Sequence, residues 1–222
     1  MTFYSEEIPL STLISVAKLQ KTTNDIVMPT WLQNPPNYLR AAYVEMVEAI
    51  DHHGYKFWKA TKPDFPSASM EMVDIFHFVL SHELVRFNGC VTTTAKFFQL
   101  QFSTPIDYEK AENMSKEEFL EIADELTVSF ASKRPDYEKM IIACVYLGIP
   151  QHKLCQWYIG KNCLNNFRQQ NDYQGGTYHK AWFGKEDNDY LIKIIEKNDA
   201  STTYESIYQD LVNYYAMALK AL

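Results

Sequence analysis

The chain has 222 residues, 46% of them hydrophobic and 14% aromatic, which is enough for one sizeable core and a single domain over residues 1–222. With only 7 glycines a turn-rich all-β fold is disfavoured. The formal net charge of −7 disfavours general binding to nucleic acid or to anionic membranes.

The cysteines and the start of the chain bear on location. The four cysteines lack C-x-x-C spacing, so we expect reduced thiols in a cytoplasmic protein. Glu6 and Glu7 stand where a secretory signal would be basic, so a signal peptide is not expected. No run of 18 apolar residues predicts a membrane span. The expected location is the cytoplasm, or the host cytoplasm for a viral protein.

The first predicted element is an amphipathic helix from Leu10 to Asn24, with Leu13, Ile14, Val16 and Ala17 as its inward residues. Gln20 and Asn24, four residues apart, share a face of this helix. Three prolines then break regular structure between Met28 and Tyr38.

Two acidic helices come next. The first is predicted from Tyr38 to about Lys59 with a kink at Gly54, and its apolar side is marked by Val44, Val47 and Ile50. A short proline-containing connector over residues 62–69 leads to the second, whose apolar side is formed by Met70, Val73, Phe76, Val79 and Leu80. So short a connection predicts antiparallel neighbours.

Each of these helices carries an acidic pair, Glu45-x-x-Glu48 in the first and Glu71-x-x-Asp74 in the second. Three-residue spacing puts both carboxylates of a pair on one face. Four carboxylates converging in a partly buried place would repel one another unless a cation lay among them. Oxygen ligands favour a hard cation, with Mg²⁺ as the first choice and Mn²⁺ as the second. The alternative is two ordinary solvated acidic faces.

Three other motifs lie in or near these acidic helices. Phe78 lies one turn from Asp74, where a base or sugar would rest. Asp51-His52-His53 resembles the DHH string of phosphoesterases but lies in a helix. Asp74-x-x-His77 resembles half of a di-iron site, yet no second such motif exists, so we expect His77 to support the core or a metal ligand. No Walker loop or nucleophile elbow is found.

The second half of the chain is predicted to be helical as well. Ser115 opens a capping box for a helix to about Ser132, and further helices are expected over residues 137–147, from Gln151 onward and over 202–222. Lys161, Asn165 and Arg168 fall on one face of the Gln151 helix. This cationic stripe is either a phosphate clamp or a surface face.

A longer pattern carries a family resemblance. Lys161-Asn162-x-x-Asn165-x-x-Arg168-Gln169 is followed by Tyr173, by Gly176-Thr177-Tyr178-x-Lys180-x-Trp182-x-Gly184 and by Glu186-Asp187-Asn188. Together with the two acidic pairs, Tyr55-Lys56-Phe57-Trp58 and His77-Phe78, these motifs resemble the dimeric, all-α dUTPase family from roughly Leu19 to Asn188.

The resemblance implies an all-α multi-helix bundle that forms a homodimer, with a metal site between antiparallel helices. In this family pattern Glu45, Glu48, Glu71 and Asp74 would hold magnesium ions that bridge the triphosphate, and phosphate oxygens would be contacted by Lys161, Asn165, Arg168 and Lys180. The nucleoside would be bound by Gln20 and Asn24, which read uracil, by Phe78, which stacks on it, and by Trp58, which closes the pocket.

Two positions depart from the family pattern. Thr23 stands where a leucine is usual, and Asp172 replaces a glycine of the phosphate loop. Because an acid near a triphosphate is unfavourable, we expect Asp172 to point away or the loop to differ.

The predicted reaction is Mg²⁺-dependent hydrolysis of dUTP to dUMP and pyrophosphate, with dUDP as a second substrate and attack at the β-phosphorus implied by the family. A metal-ligating glutamate, Glu45 or Glu48, would be the general base. One alternative is a related all-α pyrophosphatase with another base preference, such as dCTP. Another is an inactive helical module that binds a protein partner through its acidic face.

Overall fold

The computed structural model describes the backbone of residues 3–4 and all of residues 7–197 and 203–221. The predicted all-α fold is confirmed, because ten helices form the described part of the chain: α1 Leu10–Val27, α2 Tyr38–His52, α3 Phe65–Arg86, α4 Val91–Phe102, α5 Tyr108–Glu112, α6 Lys116–Ala131, α7 Tyr137–Tyr146, α8 Gln151–Gln170, α9 Asp187–Lys197 and α10 Tyr204–Leu219.

Within the described residues, four two-residue strands form two antiparallel pairs. β1 (Phe3–Tyr4) pairs with β2 (Ile106–Asp107), and β3 (Ala181–Trp182) pairs with β4 (Lys185–Glu186). The chain divides into two compact units, residues 1–158 and 159–222, with the boundary inside α8. The single domain over residues 1–222 stays a prediction.

In the first unit, α3 is the most deeply buried helix. Asp64 caps its N-terminus by accepting a hydrogen bond from Ser67 N–H, and Pro66 lies in the first turn. The apolar side predicted for this helix is confirmed as buried: Met70, Val73, Phe76, Val79 and Leu80. α2 packs along α3 and also against α6, and α1 packs against α3 and α4.

The structure corrects the prediction for α2 in two ways. The helix ends at His52, not near Lys59, because Gly54 adopts a positive φ of 76° and the Asp64 N–H donates to His52 O. Val44 and Val47 are 44% and 52% exposed, and the buried face consists of Leu39, Ala42, Met46 and Ala49. This second stripe runs the length of the helix at spacings of three and four, and its small alanines allow close helix packing.

His53 follows α2 and lies in an aromatic box. Its ring stacks on Phe119 with centroids 4.5 Å apart, and its Nε2 lies 2.9 Å from the Tyr146 hydroxyl. The side chain is buried. The Asp51-His52-His53 string is therefore split between the helix end and the core.

The other helices agree with the sequence in type. The capping box of Ser115 and Glu118 opens α6 as predicted, and α7 and α8 begin at the predicted residues. The predicted last helix corresponds to α10. The sequence patterns do not predict helices α4, α5 and α9.

The second unit contains the β3–β4 hairpin, α9 and α10. Its core is aromatic, with Trp182 fully buried and Phe167, Tyr178 and Tyr215 packed close by. Across both units, none of the helices described is both long and apolar enough to cross a membrane.

Candidate active site

An acidic cluster forms where α2 packs on α3. Glu45 comes from α2, and Glu71 and Asp74 come from α3; one carboxylate oxygen of each lies within 4.8 Å of the others. Glu71 is buried and the other two are half-buried. Carboxylates held so close in a partly buried place are the donors that a hard divalent cation binds. The nearby His52 Nε2 lies 3.4 Å from Glu71 Oε1.

Among the described residues, the group of three converging carboxylates does not include Glu48, the fourth predicted ligand. Glu48 lies one turn further along α2 and is exposed. Its predicted role in metal binding or in proton transfer stays a prediction.

A stripe of α3 leads away from the acidic cluster. Asp74, Phe78 and Ser81 are spaced by four and three residues and therefore share one face of the helix. Phe78 is half-buried, and Ser81 is buried. The seven residues from Asp74 to Ser81 correspond to a rise of about 10 Å. An aromatic ring thus lies between the acidic cluster and Ser81.

The far end of this stripe meets the two amides of α1. Ser81 Oγ lies 3.2 Å from Asn24 Oδ1, and Gln20 Nε2 donates to the same oxygen at 2.9 Å. The Tyr158 hydroxyl donates to Gln20 Oε1 at 2.9 Å. Asn24 Nδ2 is buried and has no hydrogen-bond acceptor among the residues that the structure describes. The predicted shared face of Gln20 and Asn24 is therefore a buried hydrogen-bonded pair with one donor left over.

His77 belongs to the packing around these amides. Its ring stacks on Tyr158 with centroids 4.1 Å apart, and its Nδ1 donates to Val73 O at 2.9 Å. The nearest Asp74 oxygen is 4.0 Å from that nitrogen. These contacts agree with the expectation that His77 supports the core.

Trp58 lies in the irregular segment after α2. The side chain is 62% exposed, and its ring makes edge contacts with Tyr55 and Phe57. The structure brings it into this exposed aromatic group and not into the core. Closure of a base pocket by Trp58 stays a prediction.

In the second unit, Arg168 of α8 is held by the first residue of α9. Arg168 Nε and one terminal nitrogen donate to the two oxygens of Asp187 at 2.8 and 2.7 Å. The Tyr178 hydroxyl also donates to Asp187 Oδ2, at 2.8 Å. Burial, and then the charge of Asp187, raises the pKa of the Tyr178 phenol well above its usual range. The predicted clamp residue is thus fixed in orientation by a fully buried carboxylate.

Of the other predicted phosphate ligands in this unit, Lys161 and Asn165 belong to the hydrogen-bond network of Arg168, whereas Lys180 pairs with Glu186. Asn165 Oδ1 accepts from Arg168, and Asn188 Oδ1 accepts from Lys161 at 2.9 Å and from Arg168 at 3.3 Å. Lys180 is exposed on the β3 side of the hairpin and pairs with Glu186 at 2.9 Å. The structure therefore groups Lys161, Asn165 and Arg168 around α9.

The side chain of Asp172 hydrogen-bonds within its own loop. Asp172 has a positive φ of 63°, and its Oδ2 accepts from the Thr177 hydroxyl at 2.7 Å. A Cβ at Gly175 would lie 2.1 Å from Asp172 Oδ1. The carboxylate is turned onto its own loop, and glycine at position 175 makes room for it.

A protein-family model described as dUTPase matches residues 12–173, which is most of the chain. The chain belongs to the dUTPase family. The all-α fold observed here agrees with this membership, and the resemblance to the dimeric, all-α dUTPases is confirmed. A search of the curated proteins gave no match for the chain.

Family membership makes this dUTPase a dUTP diphosphatase. The matched region contains every residue of the acidic cluster and of the α1 amide pair, but it ends before Lys180 and Asp187.

Three residues of this dUTPase have contacts that the sequence did not assign. Asp187 was part of a quoted motif without a role, and Ser81 could have been found from its seven-residue spacing to Asp74. Tyr158 gave no local signal, because its partner Gln20 lies 138 residues away in the sequence.

Proposed function

We propose that this dUTPase hydrolyses dUTP to dUMP and pyrophosphate, and dUDP as well, with a divalent cation held by Glu45, Glu71 and Asp74. The observation that carries this proposal is the convergence of three carboxylates from two helices within 4.8 Å. The three converging groups each offer a carboxylate oxygen, so Mg²⁺ is the first choice and Mn²⁺ the second.

The need for a cation follows from charge. The protein carries a formal net charge of −7 and the substrate adds several negative charges, so carboxylates and phosphate oxygens would repel each other. When bound, Mg²⁺ supplies the positive charge that offsets both sets of oxygens and the charge that develops on the leaving phosphate.

Proton transfer is assigned to Glu48. Because Glu45 is one of the three converging carboxylates and Glu48 is not, Glu48 keeps its oxygens available to accept a proton from the attacking water. Its exposure and its place one turn from Glu45 support this division of roles.

Substrate binding extends the proposal along α3. Phe78 stacks on the base, Gln20 and Asn24 read its edge, and Trp58 closes over it. For the second unit, Lys161, Asn165, Arg168 and Lys180 contact phosphate oxygens. The grouping of three of these residues around α9 supports a shared task. The protein acts as a homodimer in the cytoplasm.

The test is pyrophosphate release from dUTP with and without Mg²⁺, in the wild type and in Glu71→Gln and Asp74→Asn. We expect each variant to lose at least about a hundredfold in rate, as expected when electrostatic stabilisation is removed. Glu121→Gln, which neutralises an exposed acid of α6, is the matched control and should keep full activity.

Other outcomes would contradict the proposal. Full activity of Asp74→Asn, or equal wild-type rates with and without a chelator, would exclude the cation site. Faster turnover of dCTP than of dUTP would assign the other base preference. A folded wild type that releases no pyrophosphate would favour an inactive binding module.

A further inference from the structure

We propose that Tyr158 is a positioning residue that sets the base preference of this enzyme. The side-chain amides of Gln20 and Asn24 form a hydrogen-bonded relay, and Tyr158 fixes its direction by donating its phenol proton to Gln20. Asn24 then presents its Nδ2 donor, and not its Oδ1 acceptor, to the base. This inference rests on the proposed function and names the base edge that the site takes. That edge carries a carbonyl group at C4, as in uracil, and not the amino group of cytosine.

The relay has a direction because each amide has one donor end and one acceptor end. Tyr158 donates to Gln20 Oε1, so Gln20 turns its Nε2 towards Asn24 and donates to Oδ1. Asn24 is then left with Nδ2, the buried donor that has no acceptor in the described part of the chain. Reversing the first link would reverse the second and would leave an acceptor in that place.

The start of the relay is rigid. The Tyr158 ring is fully buried, stacks on His77 at 4.1 Å and makes an edge contact with Phe76 at 5.5 Å between centroids. The hydrogen bond from His77 Nδ1 to Val73 O holds the His77 ring against the α3 backbone. The phenol oxygen therefore stays at a fixed place relative to α3.

The end of the relay is held from a second side. Ser81 Oγ lies 3.2 Å from Asn24 Oδ1 and also donates to His77 O at 2.9 Å. Because the single Ser81 hydroxyl proton is donated to His77 O, the donor that orients the Asn24 amide is Gln20 Nε2, 2.9 Å from Oδ1, and Nδ2 remains as the unused end of that amide. Asn24 itself is 6% exposed, so an unused donor there costs free energy until a ligand accepts from it.

The leftover donor discriminates between pyrimidines. Uracil carries the acceptor O4 where cytosine carries the donor N4 amino group. Asn24 Nδ2 donates to O4 of uracil. With cytosine, Nδ2 and the N4 amino group would be two donors facing each other, and both would stay unpaired. The relay meets α3 at Ser81, about 10 Å along the helix from Asp74, with Phe78 between them. This separation leaves room for the sugar between the base and the phosphates.

The experiment compares kcat/KM for dUTP and dCTP in the wild type and in Tyr158→Phe. Phenylalanine keeps the ring contacts but removes the proton that fixes the relay, so the dUTP to dCTP ratio should fall by about tenfold or more. KM for dUTP should rise while kcat changes little. Tyr146→Phe is the matched control, since it removes another phenol hydroxyl of the first unit, the one bound to His53, and should leave the ratio unchanged.

An equal fall in kcat/KM for both nucleotides in Tyr158→Phe, with the ratio unchanged, would show a structural role and overturn the proposal. If Tyr158→Phe does not fold, Gln20→Met cuts the relay without touching the Tyr158 ring. An unchanged ratio in that variant overturns the proposal equally. Failure of the proposed function looks different, because the wild type itself would then lack Mg²⁺-dependent dUTP hydrolysis.

Discussion

Asp187 and Arg168 form a buried two-bond ion pair that joins the start of α9 to the end of α8. Their oxygen and nitrogen atoms lie 2.7 and 2.8 Å apart in parallel hydrogen bonds, and Asp187 is fully buried. Such fork geometry fixes the plane of a guanidinium group. Any anion that Arg168 binds would therefore meet a side chain already oriented by Asp187.

Breaking this pair should destabilise the protein strongly. Arg168→Ala leaves the Asp187 carboxylate buried without its main cation, so we expect the free energy of unfolding to fall by about 3–5 kcal/mol. Lys180→Ala breaks the exposed pair with Glu186 and should cost about 0–1 kcal/mol. Urea unfolding of both variants measures the difference. Equal losses would contradict the importance of the buried pair.

Glu45 and Glu48 should separate cation binding from proton transfer. Glu45→Gln removes one of the three converging carboxylates and should weaken Mg²⁺ binding by about tenfold or more. Glu48→Gln should retain Mg²⁺ binding and lose about a hundredfold or more in kcat. Calorimetric titration with Mg²⁺ alone and steady-state kinetics distinguish the two. Loss of Mg²⁺ binding in Glu48→Gln would place that residue among the ligands.

His53 should make stability depend on pH. Burial, aided by the charge of Lys116, lowers its pKa below 6.5 in the folded protein. The unfolded chain therefore binds a proton that the folded protein does not, and the stabilisation present above pH 6.5 is lost as the pH falls below that value. Urea midpoints at pH 7.5 and 5.5 should differ less in His53→Phe than in the wild type. His179→Gln, at an exposed histidine, should keep the wild-type difference.

Asn24→Asp should shift base preference towards cytosine. The substitution keeps the oxygen that accepts from Gln20 and replaces the buried Nδ2 donor by an acceptor. The kcat/KM for dUTP should fall by about tenfold or more relative to that for dCTP, because an acceptor then faces O4. Competition between the two nucleotides in one assay measures this ratio directly. A variant with unchanged preference would exclude Asn24 from reading the base.

The sequence by itself determined what depends on neighbours within one or two turns of a helix. The capping box of Ser115 and Glu118, the buried face of α3 and the pairing of Glu71 with Asp74 follow from local spacing and cap chemistry. The family motifs added the reaction and the predicted ligands. These features were readable because a helix repeats its geometry every 3.6 residues, whatever surrounds it.

Only the tertiary structure decided which faces and which distant residues meet. α2 had two apolar stripes, and packing against α3 chose the one with Met46 over the one with Val47. The same packing brought Glu45 of α2 to Glu71 and Asp74 of α3. The bonds from Tyr158 to Gln20 and from Arg168 to Asp187 join residues 138 and 19 positions apart. Spacing along the chain does not encode such contacts, because they depend on how whole helices pack.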